Sequence, residues 1–145
     1  MSLLNYSTSI DPDKTASEIA RCLSRHGAKA ILTEYNKEDE YVSSLSFQIN
    51  VNDNDIAFKL PCDWKPVLYI LENDNKVPKA RRTKEQAVRT AWRIVKDWVE
   101  AQMALVETKM VTTEQVFLPY ALMKDNKTTL YQKMLKNNFL LEEGK

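Results

Sequence analysis

The chain has 145 residues, 43% of them hydrophobic and 28% charged, with a formal net charge of +1. That size and apolar content belong to one folded domain able to bury a core, and they exclude a chain disordered throughout. No 18-residue apolar run and no charged-then-apolar leader occurs, so neither a membrane span nor a secretory signal is expected, and the expected setting is the cytosol.

The near-neutral total hides a sorting of charge along the chain. Between Lys76 and Lys96 eight basic residues (Lys76, Lys79, Arg81, Arg82, Lys84, Arg89, Arg93, Lys96) face the single acid Glu85, a segment charge of +7, so the remainder carries −6. Two cysteines, Cys22 and Cys62, are too few for a disulfide framework and read as reduced thiols.

In chain order, Met1 to Ser9 is a polar leader, and residues 1–10 and 142–145 are expected to be loosely held ends of a single domain spanning 1–145. Asp11-Pro12-Asp13 starts a helix: Asp as N-cap, Pro where a missing N–H is harmless, and a second acid in the positive-dipole turn. Ala16, Ile19, Ala20 and Leu23 recur at helical spacing, and Gly27 sits where a left-handed cap is wanted, so the helix covers about residues 12–26. Lys29 to Tyr35 has strand composition. After the polar turn Asn36 to Asp39, Tyr41, Leu45, Phe47, Ile49 and Val51 alternate with Ser44, Ser46, Gln48 and Asn50, the pattern of a half-buried antiparallel strand. Asn52 to Asp55 is turn material, and Ile56, Phe58 and Leu60 form a third strand that Pro61 stops. Pro61 to Asn75 reads as a short helix started by Asp63 and Pro66, with a fourth strand over Val67 to Leu71 as the alternative.

The longest helical pattern follows. Thr83 and Gln86 have capping-box spacing, and no Pro or Gly interrupts the chain from there to Lys109. Arg89, Arg93, Lys96, Glu100 and Glu107 fall on one stripe expected to face water. Ala87, Ala91, Ile94, Val95, Trp98, Ala101, Gln102, Leu105 and Val106 form an apolar arc wide enough to be packed from two sides, with Trp98 in the core and Trp92 covering its boundary. Thr112 and Gln115 repeat the capping spacing before Val116, Phe117, Leu118, Ala121 and Leu122, a helix that Pro119 bends or shortens. Leu130, Tyr131, Met134 and Leu135 suggest one more. The fold class is α+β: an N-terminal helix, a three-stranded antiparallel sheet, a long central helix packed on the sheet, and a helical C-terminal extension.

Chemistry is sparse. The one histidine, His26, lies at the end of the first helix, where a cation is favourable, and Cys22 four residues before it lacks the second pair that a zinc site needs. Gly27 and Gly144 are the only glycines, which excludes glycine-rich phosphate loops. No catalytic residue, metal ligand or cofactor is expected. Cations at a helix N-terminus repel its dipole, so Arg81, Arg82 and Lys84 call for an anion: phosphate, an acidic partner protein, or the chain's own acids.

Three resemblances bear on this. The helix and three strands, with Asp55 and Lys59 in DIAFK, resemble the core of restriction-endonuclease-like nucleases, although Ala57 stands where that family has a second acid. The helix, three strands, helix order over about residues 12–100, with Lys79 to Lys84 before the second helix, resembles double-stranded RNA-binding domains. There the long connection from Pro61 to Pro78 and the acidic Glu38, Asp39 and Glu40 depart from the pattern. Finally, AWRIVKDWVEAQMALVETKMVTTEQVFLPYAL (Ala91 to Leu122) and HGAKAIL (His26 to Leu32) resemble a family of small bacteriophage and prophage proteins. That resemblance implies a viral or prophage origin and the cytoplasm of a bacterial host, and it assigns no residue a role.

The expectation is therefore a non-enzymatic phage-type protein that binds nucleic acid, DNA or RNA, through Lys79, Arg81, Arg82, Lys84, Arg89, Arg93 and Lys96, with no membrane association. The alternative is a module that docks on a host or phage protein through the long helix or the VFLPY segment, Val116 to Tyr120.

Overall fold

Local chemistry sets the first helix. The Asp11 carboxylate accepts from the Asp13 N–H at 2.8 Å, Pro12 occupies the first turn, and α1 runs Pro12–Arg25. It ends where Gly27 turns left-handed (φ 100°) and the Ala28 N–H reaches back to the Leu23 carbonyl at 3.0 Å. In this computed structural model, which describes residues 1–38 and 40–140, there follow β1 (Ala30–Tyr35), β2 (Val42–Val51), β3 (Asn54–Lys59), α2 (Trp64–Glu72), α3 (Lys84–Glu107), α4 (Thr113–Phe117) and α5 (Leu130–Lys136). Short 3₁₀ turns cover Lys79–Arg81 and Leu118–Tyr120. Asp39 and the tail expected from Glu142 lie outside the described residues.

The sheet is antiparallel in the order β1-β2-β3, and α3 packs on its apolar face. Asn52 and Asp53 both have positive φ, so the β2–β3 hairpin closes in two residues, with Val51 opposite Asn54. The strict alternation expected of β2 breaks at one point. Ser44 pairs with Glu34 and Val42 with Tyr35, so Ser43 is an extra residue, a bulge that shifts the side-chain parity. Val42 is thereby buried with Leu45, Phe47 and Ile49, while Tyr41 is only half-buried. The Val42 N–H is taken by the Asp13 carboxylate at 3.1 Å, which ties the bulge to the first turn of α1.

Within residues 61–75 the chain forms the helix Trp64–Glu72 rather than a fourth strand. Asp63 caps it by accepting from the Lys65 N–H at 3.0 Å, and Trp64, Val67, Leu68 and Leu71 turn inward at helical spacing. Thr112 and Gln115 make both halves of a capping box, as Thr129 and Gln132 do for α5. Pro119 cuts α4 short: the helix ends at Phe117 and passes into the 3₁₀ turn. The extension then returns to the sheet, where the Leu122 N–H donates to the Ala57 carbonyl at 2.8 Å along the outer edge of β3.

Two expectations about α3 are corrected. Its buried apolar face consists of Ala87, Val88, Ala91, Trp92, Val95, Val99 and Met103, turned by roughly 60° about the helix axis from the expected arc. Trp92 is 2% exposed and is the largest fully buried side chain, whereas Trp98 is half-buried, edge-on to Phe117 and Tyr120 at 5.3 and 5.5 Å between centroids. Ala101 and Ala104 face solvent. The capping box at Thr83 is also only half made. The Gln86 N–H donates to Thr83 Oγ1 at 3.2 Å, but the Gln86 amide is buried and donates to the Tyr6 and Thr8 carbonyls at 2.7 and 2.9 Å. Thr90 Oγ1 donates to the Asn5 carbonyl at 3.1 Å. The leader expected to hang loose is thus fastened to α3 through residues 5–8.

Candidate nucleic-acid interface

The seven basic residues singled out in the sequence fall into two sets. Along the α1–α3 seam, Arg93 Nη1 pairs with Glu18 Oε1 at 3.2 Å and approaches Thr15 Oγ1 at 3.4 Å. Lys96 Nζ lies 2.6 Å from Glu100 Oε1 and 3.7 Å from Glu18 Oε2. These two side chains are only 15% and 12% exposed. Of the stripe expected to face water, Arg93 and Lys96 therefore lie in a helix–helix seam, where Glu18 of α1 supplies the opposite charge, while Glu100 and Glu107 are exposed as expected.

The other set surrounds the start of α3. Pro78 and the 3₁₀ turn hold Lys79 outward on the surface. Arg81 Nη1 donates to the Ser7 carbonyl at 2.8 Å, and Arg82 donates from Nε to the Val77 carbonyl at 3.0 Å and from Nη2 to the Asp74 carbonyl at 3.3 Å. Arg89 Nη2 donates to the Gln86 side-chain oxygen at 2.7 Å. Lys84 Nζ stands 4.7 Å from the centre of the Trp64 ring, a cation–π contact. Among the described residues no carboxylate pairs with Lys79, Arg81, Arg82 or Arg89. Neutral carbonyls and an amide fix the guanidinium groups without cancelling their charge, and each keeps N–H donors to spare.

The rival chemistries find their residues otherwise engaged. His26 Nδ1 lies 2.7 Å from the Cys22 carbonyl and Nε2 lies 2.6 Å from Glu107 Oε1. The carbonyl bond first, and the carboxylate second, raise the His26 pKa and favour an imidazolium with both nitrogens donating. Such a ring has no lone pair with which to take a proton from Cys22, and burial, with Glu100 adding to it, pushes that thiol pKa up. Burial likewise pushes the Cys62 thiol to about 12. Asp55, the acid of the nuclease-like run, accepts from Asn50 at 3.0 Å and pairs with Lys29 Nζ at 2.9 Å, and both lower its pKa, the Asn50 bond most. The VFLPY segment is divided: Phe117 is fully buried and Tyr120 packs on Trp98, leaving Leu118 exposed.

Two features near the cationic set carry no charge signal in the sequence. Gln86 looked like half of a cap and instead anchors the leader against which Arg81 rests. Tyr69 belongs to the apolar run VLYIL, but it falls off the 64, 67, 68, 71 spacing of the inward residues and is 69% exposed. That off-register position was the signal available. Compared with known protein families, characterised proteins and solved structures, the chain matches none.

Proposed function

We propose that the protein is a non-catalytic, phage-type nucleic-acid-associated protein that holds phosphate backbone at the start of α3. Lys79, Arg81 and Arg82 make the principal contacts, and Lys84 and Arg89 extend them. Arg93 and Lys96 stand apart, since Glu18 and Glu100 already answer their charge. The observation that carries this proposal is the pairing of Arg81 and Arg82 with carbonyls instead of carboxylates. Fixed, charge-bearing forks with unused donors suit phosphate oxygens, and ordering them in advance reduces the entropy lost on binding. A bacterial cytoplasmic setting belongs to the same proposal; among the described residues no helix is long and apolar enough to cross a membrane.

Electrophoretic mobility shifts with DNA and RNA test it. Lys79→Glu, a surface change, is expected to weaken binding about tenfold, and Glu18→Gln is expected to leave it intact. Absence of binding by the parent protein at low salt, or equal binding by the Lys79→Glu variant, overturns it.

A second function has its own support. Tyr131, Leu135 and Phe139 are exposed around α5, with Tyr131 and Phe139 5.8 Å apart between ring centroids, and such a patch suits a protein partner. A pull-down that depends on Leu135 and not on Lys79 would favour it.

A further inference from the structure

The phosphate-binding proposal leaves open which form of nucleic acid is held, and the surface beside the cationic set bears on it. The inward face of α2, made by Trp64, Val67, Leu68 and Leu71, packs with Val77 and Ala87. Its outward face presents Tyr69 and the partly exposed Ile70. Tyr69 opens onto a shallow depression of about 520 Å³ that it shares with Asn73, Asn75 and Lys76. Chain geometry makes this depression one body with the cations. The Asp74 carbonyl that bounds it accepts from both the Val77 N–H at 3.0 Å and Arg82 Nη2 at 3.3 Å. Val77, which follows Lys76, is buried. Lys76 is itself fixed at the backbone, its N–H donating to the Asp74 carboxylate at 3.0 Å. That carboxylate is the one acid lining the depression among the described residues, and the backbone bond to Lys76 with the side-chain bond to Ser2 lowers its pKa.

Resting on the phosphate-binding proposal, we infer that the ligand is single-stranded nucleic acid, with one base stacked on Tyr69 while the adjoining phosphates run over Lys76, Lys79, Arg81 and Arg82. In a duplex the base faces are hidden by their neighbours, so an exposed aromatic ring beside a cationic track gains nothing from it. An unpaired base offers its face to any such ring. Asn73 is oriented for the edge of that base: its side-chain N–H donates to the Tyr69 carbonyl at 2.8 Å, which leaves the amide oxygen as an acceptor at the rim. Stacking is indifferent to base identity, so little sequence preference is expected.

The test uses fluorescence anisotropy with labelled single strands of DNA and of RNA, each of about 15 nucleotides, and the matching DNA duplex. The parent protein is expected to prefer a single strand by about tenfold, with the two single-strand arms reporting which sugar is favoured. Tyr69→Ala should lose about 5- to 30-fold on single strands and nothing on duplex, and Tyr69→Phe should restore binding. Circular dichroism of each variant verifies the fold, and because Tyr69→Phe keeps the ring, a loss shared by both variants counts against stacking. Unchanged binding by Tyr69→Ala, with Lys79→Glu still impaired, overturns the single-strand inference and leaves the phosphate site standing. Failure of every probe to bind overturns both.

Discussion

Arg93 and Glu18 meet at 3.2 Å across the seam between α3 and α1, and this pair divides the basic segment into a structural part and an available part. Glu18 also faces Lys96, so one carboxylate serves two half-buried cations. Beyond the seam, towards the N-terminus of α3, Arg81, Arg82 and Arg89 donate to neutral oxygens of the described residues.

Removing that shared carboxylate should therefore act on stability and not on binding. Glu18→Ala is expected to destabilise the protein by roughly 1–2 kcal/mol, because Arg93 loses its carboxylate while remaining half-buried and Lys96 keeps only Glu100. Urea unfolding measures it; a midpoint unchanged with an unchanged slope would show that the seam owes nothing to this contact.

The buried Gln86 amide makes a different prediction. Gln86→Leu keeps the volume but leaves the Tyr6 and Thr8 carbonyls without their donor, at a cost of roughly 1–3 kcal/mol. Hydrogen exchange should then rise in residues 5–8 before it rises elsewhere. Protection equal to that of the parent chain would mean that the leader is held by other contacts.

The His26–Glu107 contact gives the pH dependence its sign. The folded-state pKa of His26 is raised above its ordinary value of 6.5, so its stabilising contribution is complete below pH 6.5 and is lost as pH rises through the raised value. The parent protein should lose stability over that interval by an amount typical of an exposed pair, under about 1 kcal/mol. His26→Gln should flatten the profile, as thermal melts across the pH series would record; a profile of equal slope in the variant assigns the effect to another group.

The aromatic cluster sets the largest expected effect. Phe117 is fully buried, lies 5.2 Å from Phe47 between ring centroids, and fastens the C-terminal extension to the sheet. Phe117→Ala should cost about 3–5 kcal/mol. A smaller loss measured by chemical denaturation would make the extension an appendage to an independently stable core.

What could be read from sequence was what neighbours in sequence decide. Asp11 and Pro12 start α1, Gly27 ends it, Asn52 and Asp53 close a hairpin, and Thr112 with Gln115 starts α4, each through contacts within a few residues. The rotation of α3 was not legible, because its buried face is set by packing against elements distant in sequence, among them α1, whose Glu18 lies 75 positions from Arg93. A basic stripe looks solvated until the helix that neutralises it is in place. Ser43 hid its bulge because a serine suits either face of a strand, and Gln86 hid its long-range role behind a local one. At the candidate interface, Lys79, Arg81 and Arg82 stand out by charge, but only the exposure of Lys79 and the neutral partners of Arg81 and Arg82 distinguish them from Arg93 and Lys96. Tyr69 was masked by the apolar residues around it.

The most direct test of the central proposal is the salt dependence of single-strand binding by the parent protein and by Lys79→Glu. A contact made by the cations at the start of α3 predicts a log–log slope of about −3 for the parent and one shallower by roughly one unit for the variant. Binding whose affinity does not change with salt, or a slope identical in the two proteins, would contradict it.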